Sequence, residues 1–245
     1  MRRLTKIYDF AAAAPLIVLY LIWIAGFFSS LISEVHRLFD AFTAVTALSI
    51  VYEIATILFL SLVVSLFVFR RLPENRAKGV LPRVAAMIGA NIQLLFLAVP
   101  QVDNSPAVLA VSTAVTVAGL AGSIYFASVL GGSFSVLPQA RGLVMHGPYR
   151  FVRHPLYIAE QIAVFGIMWQ YQQPWALLIF AASVSAQFAR MHYEEKVLAE
   201  TYPAYRAYMA RTGRIIPRGL ANAWTIRASG QSSVAVEPSS TPLFK

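Results

Sequence analysis

The sequence predicts an all-α fold: a polytopic membrane bundle of about six transmembrane helices, with a cytoplasmic loop and a C-terminal helix that carry the chemistry. Three observations predict it. The 245 residues are 58% hydrophobic and only 13% charged, with mean hydropathy +0.63, whereas soluble domains are about 25% charged. The apolar residues fall in long blocks, several of them matching the ~20 residues that a helix needs to cross a bilayer. Finally, 19 of the 20 Lys and Arg residues fall on alternate connections between those blocks, Arg37 being the exception.

In chain order, Arg2, Arg3 and Lys6 precede an apolar run over residues 10–32. Signal-peptide cores are shorter, about 7–15 residues, and are followed by a small-residue cleavage region. Neither feature fits, so this run is predicted to be a retained first span. Further spans are predicted over 41–69, 84–100 and 107–130. Span four contains TVAGLAGS, with Ala118/Gly122 and Gly119/Ser123 at the spacing of small residues that lets helices approach closely. Two shorter apolar runs, 156–169 and 175–189, are joined by the polar turn QYQQP and predict a helical hairpin. From 219 to 245 the chain turns to Ser, Ala, Pro and Gly without periodicity, which predicts disorder. Three regions follow: 1–130, four N-terminal spans; 131–218, the chemistry; 219–245, a tail.

The charge distribution sets orientation. The bias of Lys and Arg towards the cytoplasmic side predicts that both termini are cytoplasmic. The net charge of +9 therefore reports topology and contact with anionic lipid, not nucleic acid. The absence of cysteine excludes disulfides, thiolate metal sites and a cysteine nucleophile. The four histidines have no metal-ligand spacing, and no metal is predicted. There is no GxGxxG, hence no Rossmann signature.

One stretch interrupts the apolar pattern: QARGLVMHGPYRFVRHPLY, residues 139–157. Gly147-Pro148 is a turn signal, and Pro155 turns His154 away from helix while suiting the first turn of a new one. After the hairpin comes ARMHYEEKVLAETYPAYRAYMARTGRIIP. Arg190, Glu194 and Leu198 lie four residues apart and share a helix face, while Glu195 points about 100° away from Glu194. The plain reading of this segment is a solvated, salt-bridged helix leaving the membrane. The hairpin, however, returns it to the end of the bundle where the 139–157 loop lies.

Together, GPYRFVRHPLY, the hairpin and the RMHYEE segment resemble the isoprenylcysteine carboxyl methyltransferase family of integral membrane enzymes, and more widely the phospholipid methyltransferase group. The likeness covers about residues 130–218; the first four spans match only in being apolar. It implies S-adenosylmethionine as methyl donor, held without a Rossmann domain. By motif position it implies that Tyr149, His154, Pro155, Leu156 and Tyr157 bind the cofactor, approached by Gln139 and the backbone of Leu143 and Val144. Glu194 matches a carboxylate that contacts the cofactor, and Arg190 the arginine associated with the substrate carboxylate. Arg141 and His146 fall where the family varies. The implied acceptor is a lipophilic or prenylated molecule taken from the membrane.

The chemistry of the donor suits these types. A carboxylate complements its ammonium, and tyrosine rings its purine and its sulfonium. A carboxylate acceptor is ionised at pH 7 and needs a guanidinium fork to aim it. An amine or thiol acceptor needs a base instead, for which Glu194, Glu195, His154 and His192 are available. Elsewhere, Glu53 lies within span two, where an acid is either functional or a helix-bridging hydrogen-bond partner. Asn91 and Gln93 are expected to bridge helices, Glu160 to touch the cofactor site or a basic loop residue, and His36 to sit in a loop. Two other readings stand beside the methyltransferase. Membrane sterol-type reductases also carry an Arg-His-Pro-x-Tyr loop, with NADPH as cofactor, and Glu160 suits that reading. A non-catalytic scaffold or transporter component is the third, although spans one to four hold no broken-helix pair or charged pathway beyond Glu53.

Overall fold

The protein is described by a computed structural model covering residues 2–40 and 42–218. The predicted disorder of 219–245 lies outside the described residues. The chain forms α1 (Arg2–Asp40), α2 (Ala44–Phe69), β1 (Asn75–Arg76), α3 (Leu81–Asn91), α4 (Pro106–Leu130), β2 (Gln139–Ala140), α5 (Pro155–Met168), α6 (Trp175–Thr201) and α7 (Pro203–Arg211). Among the described residues the fold is all-α apart from the β1–β2 pair. Among the described residues, four helical stretches are long and apolar enough to cross a membrane: Ala13–Asp40, Ala44–Phe69, Leu81–Ala98 and Pro106–Ser133. Their outward faces carry large apolar side chains, among them Ile22, Phe28, Leu58 and Val111, as expected of helices solvated by lipid rather than water.

Local chemistry sets most boundaries. Thr43 caps α2 by accepting from the Thr46 amide at 3.0 Å, and Ser105 caps α4 ahead of Pro106. The third predicted span is not one regular helix. It ends as α3 at Asn91 and tightens into a 3-10 segment, Ile92–Ala98. Asn91 and Gln93 accordingly do not bridge helices. Their amides donate to Met87 O and Ala90 O, carbonyls of their own turn that the change of helix type leaves nearest. His36 is exposed but lies inside α1, not in a loop, with its ring against Ile32 O at 2.7 Å.

α5 lies tightly on α4. A Cβ on Gly119 would stand 2.3 Å from Ala163 N, and one on Gly166 2.3 Å from Thr116 Oγ1. Of the small residues in TVAGLAGS, Gly119 and Ser123 are buried while Ala118 faces outward. Glu53 joins α2 to α1 through Ser30 Oγ, 2.7 Å away.

The largest departure from the sequence reading is α6. The apolar arm of the hairpin, expected to end as a span near residue 189, and the RMHYEE segment, expected as a helix leaving the membrane, are one uninterrupted helix of 27 residues. With α5 only 14 residues long, these two helices are not among the four long apolar stretches. The second departure is the antiparallel pairing of Asn75 with Ala140 and Arg76 with Gln139. It fastens the start of the 139–157 loop to the connection after α2.

Candidate active site

The 139–157 loop, the start of α5, the second half of α6 and α7 line a cleft of about 660 Å³, open solvent included. Among its lining residues are Gln139, Leu143, Val144, Tyr149, His154, Leu156, Tyr157, Arg190 and Glu194. Pro155 is buried at the first turn of α5 and does not line it. The lining also includes residues that the sequence reading did not assign to the site: Ser133, Ser135, Arg153, Leu198, Tyr205 and Tyr208. The two α7 tyrosines had a visible signal, since YPAYRAY places them three residues apart on one face of a short helix.

Tyr157 organises the centre. Its ring stacks on His154 at 5.2 Å and 8°, its hydroxyl donates to Glu194 Oε2, and the Arg190 guanidinium lies over its face, 4.5 Å from the centroid. The pair available to Arg190 and Glu194 along α6 is not made. Arg190 instead approaches Glu160 of α5, 3.7 Å away. Arg190 is 3% exposed, and its buried Nε has no hydrogen-bond partner among the described residues. A buried donor without a partner costs about 1–3 kcal/mol, so the fold retains here a guanidinium with one N–H that its own groups leave unsatisfied.

Glu195 fixes the loop instead of facing the cavity. It is 3% exposed and binds Arg153 at 2.9 Å, His154 Nε2 at 3.0 Å and Arg214. Burial pushes its carboxyl up, but hydrogen bonds from His154, Arg214 and Arg153 outweigh burial and hold it well below the usual carboxylate range. The same strap adds two main-chain bonds, Arg153 N to Gly213 O at 2.9 Å and His154 N to Arg214 O at 3.1 Å. Glu195 is therefore committed to structure and is not available as a base. His154 is likewise held, with its Nε2 on Glu195. His192 is exposed and packs on Tyr193, away from the cavity lining.

Around this centre, Tyr149 donates to Phe126 O at 3.2 Å and its carbonyl accepts from the Tyr208 hydroxyl. Burial, with Arg153 and Glu195 nearby, leaves the Tyr208 hydroxyl pushed up to about 12, so it stays a neutral donor at neutral pH. Gln139 Oε1 accepts from Arg141 Nε at 3.0 Å. Arg141 itself is buried and turned away, towards Asp9 and Arg71 O.

A second cavity, about 920 Å³, lies among the long helices. Tyr20, Trp23 and Phe27 of α1, Phe59 and Leu60 of α2, and Leu120 of α4 line it, and Glu160 and Gln187 stand in its wall. Gln187 donates to Glu160 at 2.7 Å. Arg190 lines the first cavity and Glu160 the second, so this pair forms the partition between them.

A stretch of 99 residues is 30% identical to an uncharacterized protein of Schizosaccharomyces pombe, covering 38% of this chain and 29% of that protein. The chain thus spans less than a third of the curated relative it matches. Residues 104–205 match the phospholipid methyltransferase family model. That match starts earlier than the expected 130–218 and takes in α4, which packs on α5 through Gly119 and supplies Leu130 to the cavity wall. Over α4, the loop, α5, α6 and the first residues of α7, the chain therefore matches the phospholipid methyltransferase family, the wider group of membrane methyltransferases, and the match does not single out its isoprenylcysteine branch.

Proposed function

We propose that the protein transfers a methyl group from S-adenosylmethionine to the carboxylate of a lipophilic, isoprenylcysteine-like acceptor, at the cytoplasmic surface of a membrane. The observation that carries this reading is Arg190: a buried guanidinium with an unpartnered Nε, in one cavity with Tyr157 and Glu194. The cavity's donor set, one carboxylate among buried tyrosines and loop backbone, fits the cofactor's ammonium, purine and sulfonium. When bound, the cofactor supplies an electrophilic methyl group.

The chain's own residues do the positioning, which is most of what an in-line displacement requires. Glu194, oriented by the Tyr157 hydroxyl, holds the amino-acid end of the cofactor. His154, Tyr149 and Tyr157 provide the walls, and the Glu195 clamp keeps them in place. Arg190 holds and aims the acceptor carboxylate with two of its N–H groups, exchanging its long contact with Glu160 for that anion. The second cavity seats the acceptor's apolar body within the bilayer, on the far side of the same partition. The cytoplasmic placement of both termini is part of this proposal and rests on the distribution of Lys and Arg.

The test is binding followed by turnover. Detergent-purified protein is titrated with S-adenosylhomocysteine and, separately, with NADPH, then incubated with labelled donor and a farnesylated cysteine analogue. Saturable binding of S-adenosylhomocysteine alone and a base-labile methyl ester on the analogue are expected. Saturable NADPH binding without S-adenosylhomocysteine binding would replace this reading with the sterol-type reductase.

A further inference from the structure

The end of the bundle that holds the reaction cavity carries a second cationic cluster that methyl transfer does not use. Its centre is Asp9, near the start of α1. The Asp9 carboxylate meets Arg141 at 2.8 Å, Arg70 at 2.9 Å and Arg76 at 3.3 Å, and its main-chain carbonyl accepts from Arg70 at 2.8 Å. Burial pushes this carboxyl up, but Arg141, Arg70 and Arg76 outweigh burial and hold it below the usual range. One anion is thus shared among three guanidiniums that converge from the end of α2, from β1 and from the segment after β2. Beside them a cavity of about 790 Å³ opens, lined by Asp9, Arg70, Arg76 and, from the first turn of α3, Arg83. Four guanidiniums against one carboxylate leave three positive charges uncompensated within the cluster.

The other wall of this cavity is apolar: Leu16 of α1, Phe67 of α2, and Val136 and Leu137 of the segment before β2. Leu16, Phe67 and Val136 belong to the buried apolar core, so the slot has a cationic rim and an apolar floor. A soluble anion would use the rim and leave the floor unused. An amphiphile uses both. We propose that this cavity binds the phosphate of an anionic phospholipid, with Arg70, Arg76 and Arg83 on the headgroup and the first acyl carbons against Leu16 and Phe67. Arginine suits the role because its planar fork matches phosphate oxygens in pairs. The site also touches the loop of the reaction cavity. Gln139 lines both cavities, and its Oε1 is held by the Arg141 that binds Asp9. A bound headgroup thus braces the strand from which the cofactor loop departs. The site does not depend on the identity of the methyl acceptor.

The test uses delipidated, detergent-purified protein and follows its thermal unfolding during titration with dioleoyl phosphatidylglycerol, dioleoyl phosphatidylcholine or inorganic phosphate. Phosphatidylglycerol should raise the melting temperature at much lower concentration than phosphatidylcholine, and phosphate alone should not reproduce the shift. In R76Q/R83Q, whose side chains lie at the exposed rim, the lipid-free melting temperature should stay near the parent's. The phosphatidylglycerol midpoint should weaken about thirtyfold, at ~1 kcal/mol for each basic residue at a membrane surface. Equal stabilisation by the two lipids, the same shift from phosphate at similar concentration, or an undiminished preference in the double variant would overturn the proposal. None of these readings requires methyl transfer, so its failure is separable from failure of the proposed function.

Discussion

The ring of Tyr157 separates Arg190 from Glu194: its hydroxyl donates to the carboxylate, and its face lies 4.5 Å under the guanidinium. Two charged groups four residues apart on one helix are thereby kept for two different partners. Tyr157→Phe retains the ring and removes the bond to Glu194. A hydrogen bond to a charged group contributes about 1.5–3 kcal/mol, so S-adenosylhomocysteine affinity should fall about tenfold, at 1.4 kcal/mol per decade. Calorimetric titration checks this, and unchanged affinity would mean that Glu194 needs no orienting partner.

Glu195→Gln should destabilise the protein rather than merely slow it. The change leaves Arg153, His154 and Arg214 without their common anion, and breaking a buried pair in this way costs about 3–5 kcal/mol. The pH dependence has a definite sign. The carboxyl is held well below its unfolded value, so its contribution is complete above the ordinary glutamate range near ~4.3 and is lost progressively as pH falls from there towards the lowered folded value. The difference in thermal unfolding between parent and variant should therefore narrow, without closing, as pH falls from neutral to pH 3. A constant difference across that range would contradict the clamp.

Gly119→Leu tests the α4–α5 contact. A Cβ there already meets Ala163 backbone at 2.3 Å, so the helices must part, at a cost of about 3 kcal/mol or more, the upper end for overpacking. Ala118→Leu, one residue away on the exposed side, should change stability little. Equal effects of the two variants in a thermal or detergent denaturation series would show that α4 and α5 do not pack through this face.

The sequence displayed the long helices because apolar blocks of that length have few other uses. It displayed most of the cavity lining because those residues lie in two dense segments. Other features were hidden for definite reasons. The apolar pattern of α6 stops at Arg190, but a helix needs backbone bonds rather than apolar residues to continue, so the sequence marks the change of solvent and not the continuity of the helix through it. The pairing of Asn75 with Ala140 and the Asp9–Arg141 contact join residues far apart in the chain, and no local periodicity marks them. Glu195 looks as available as Glu194 in sequence. Only the packing of the strap at Gly213 and Arg214 distinguishes the clamp from the residue facing the cavity.

Orientation is checked with reporter fusions. Fusions within 33–40, 101–105 and 170–173 should report the non-cytoplasmic side, and fusions after Lys78, Arg141 and Arg218 the cytoplasm. A cytoplasmic signal from 170–173 would place both ends of the α5–α6 hairpin on one side and separate the second cavity from the bilayer.

The division of labour between Arg190 and Glu194 is tested most directly by measuring cofactor affinity and methyl transfer together in Arg190→Lys and Glu194→Gln. Lysine keeps the charge over Tyr157 but loses the planar fork. Arg190→Lys should therefore bind S-adenosylhomocysteine like the parent and transfer methyl groups to the farnesylated cysteine analogue much more slowly. Glu194→Gln removes a charged contact of about 1.5–3 kcal/mol and should weaken cofactor binding about tenfold or more. Parental turnover in Arg190→Lys would contradict the account, because an acceptor carboxylate aimed by two N–H groups cannot be indifferent to losing one of them.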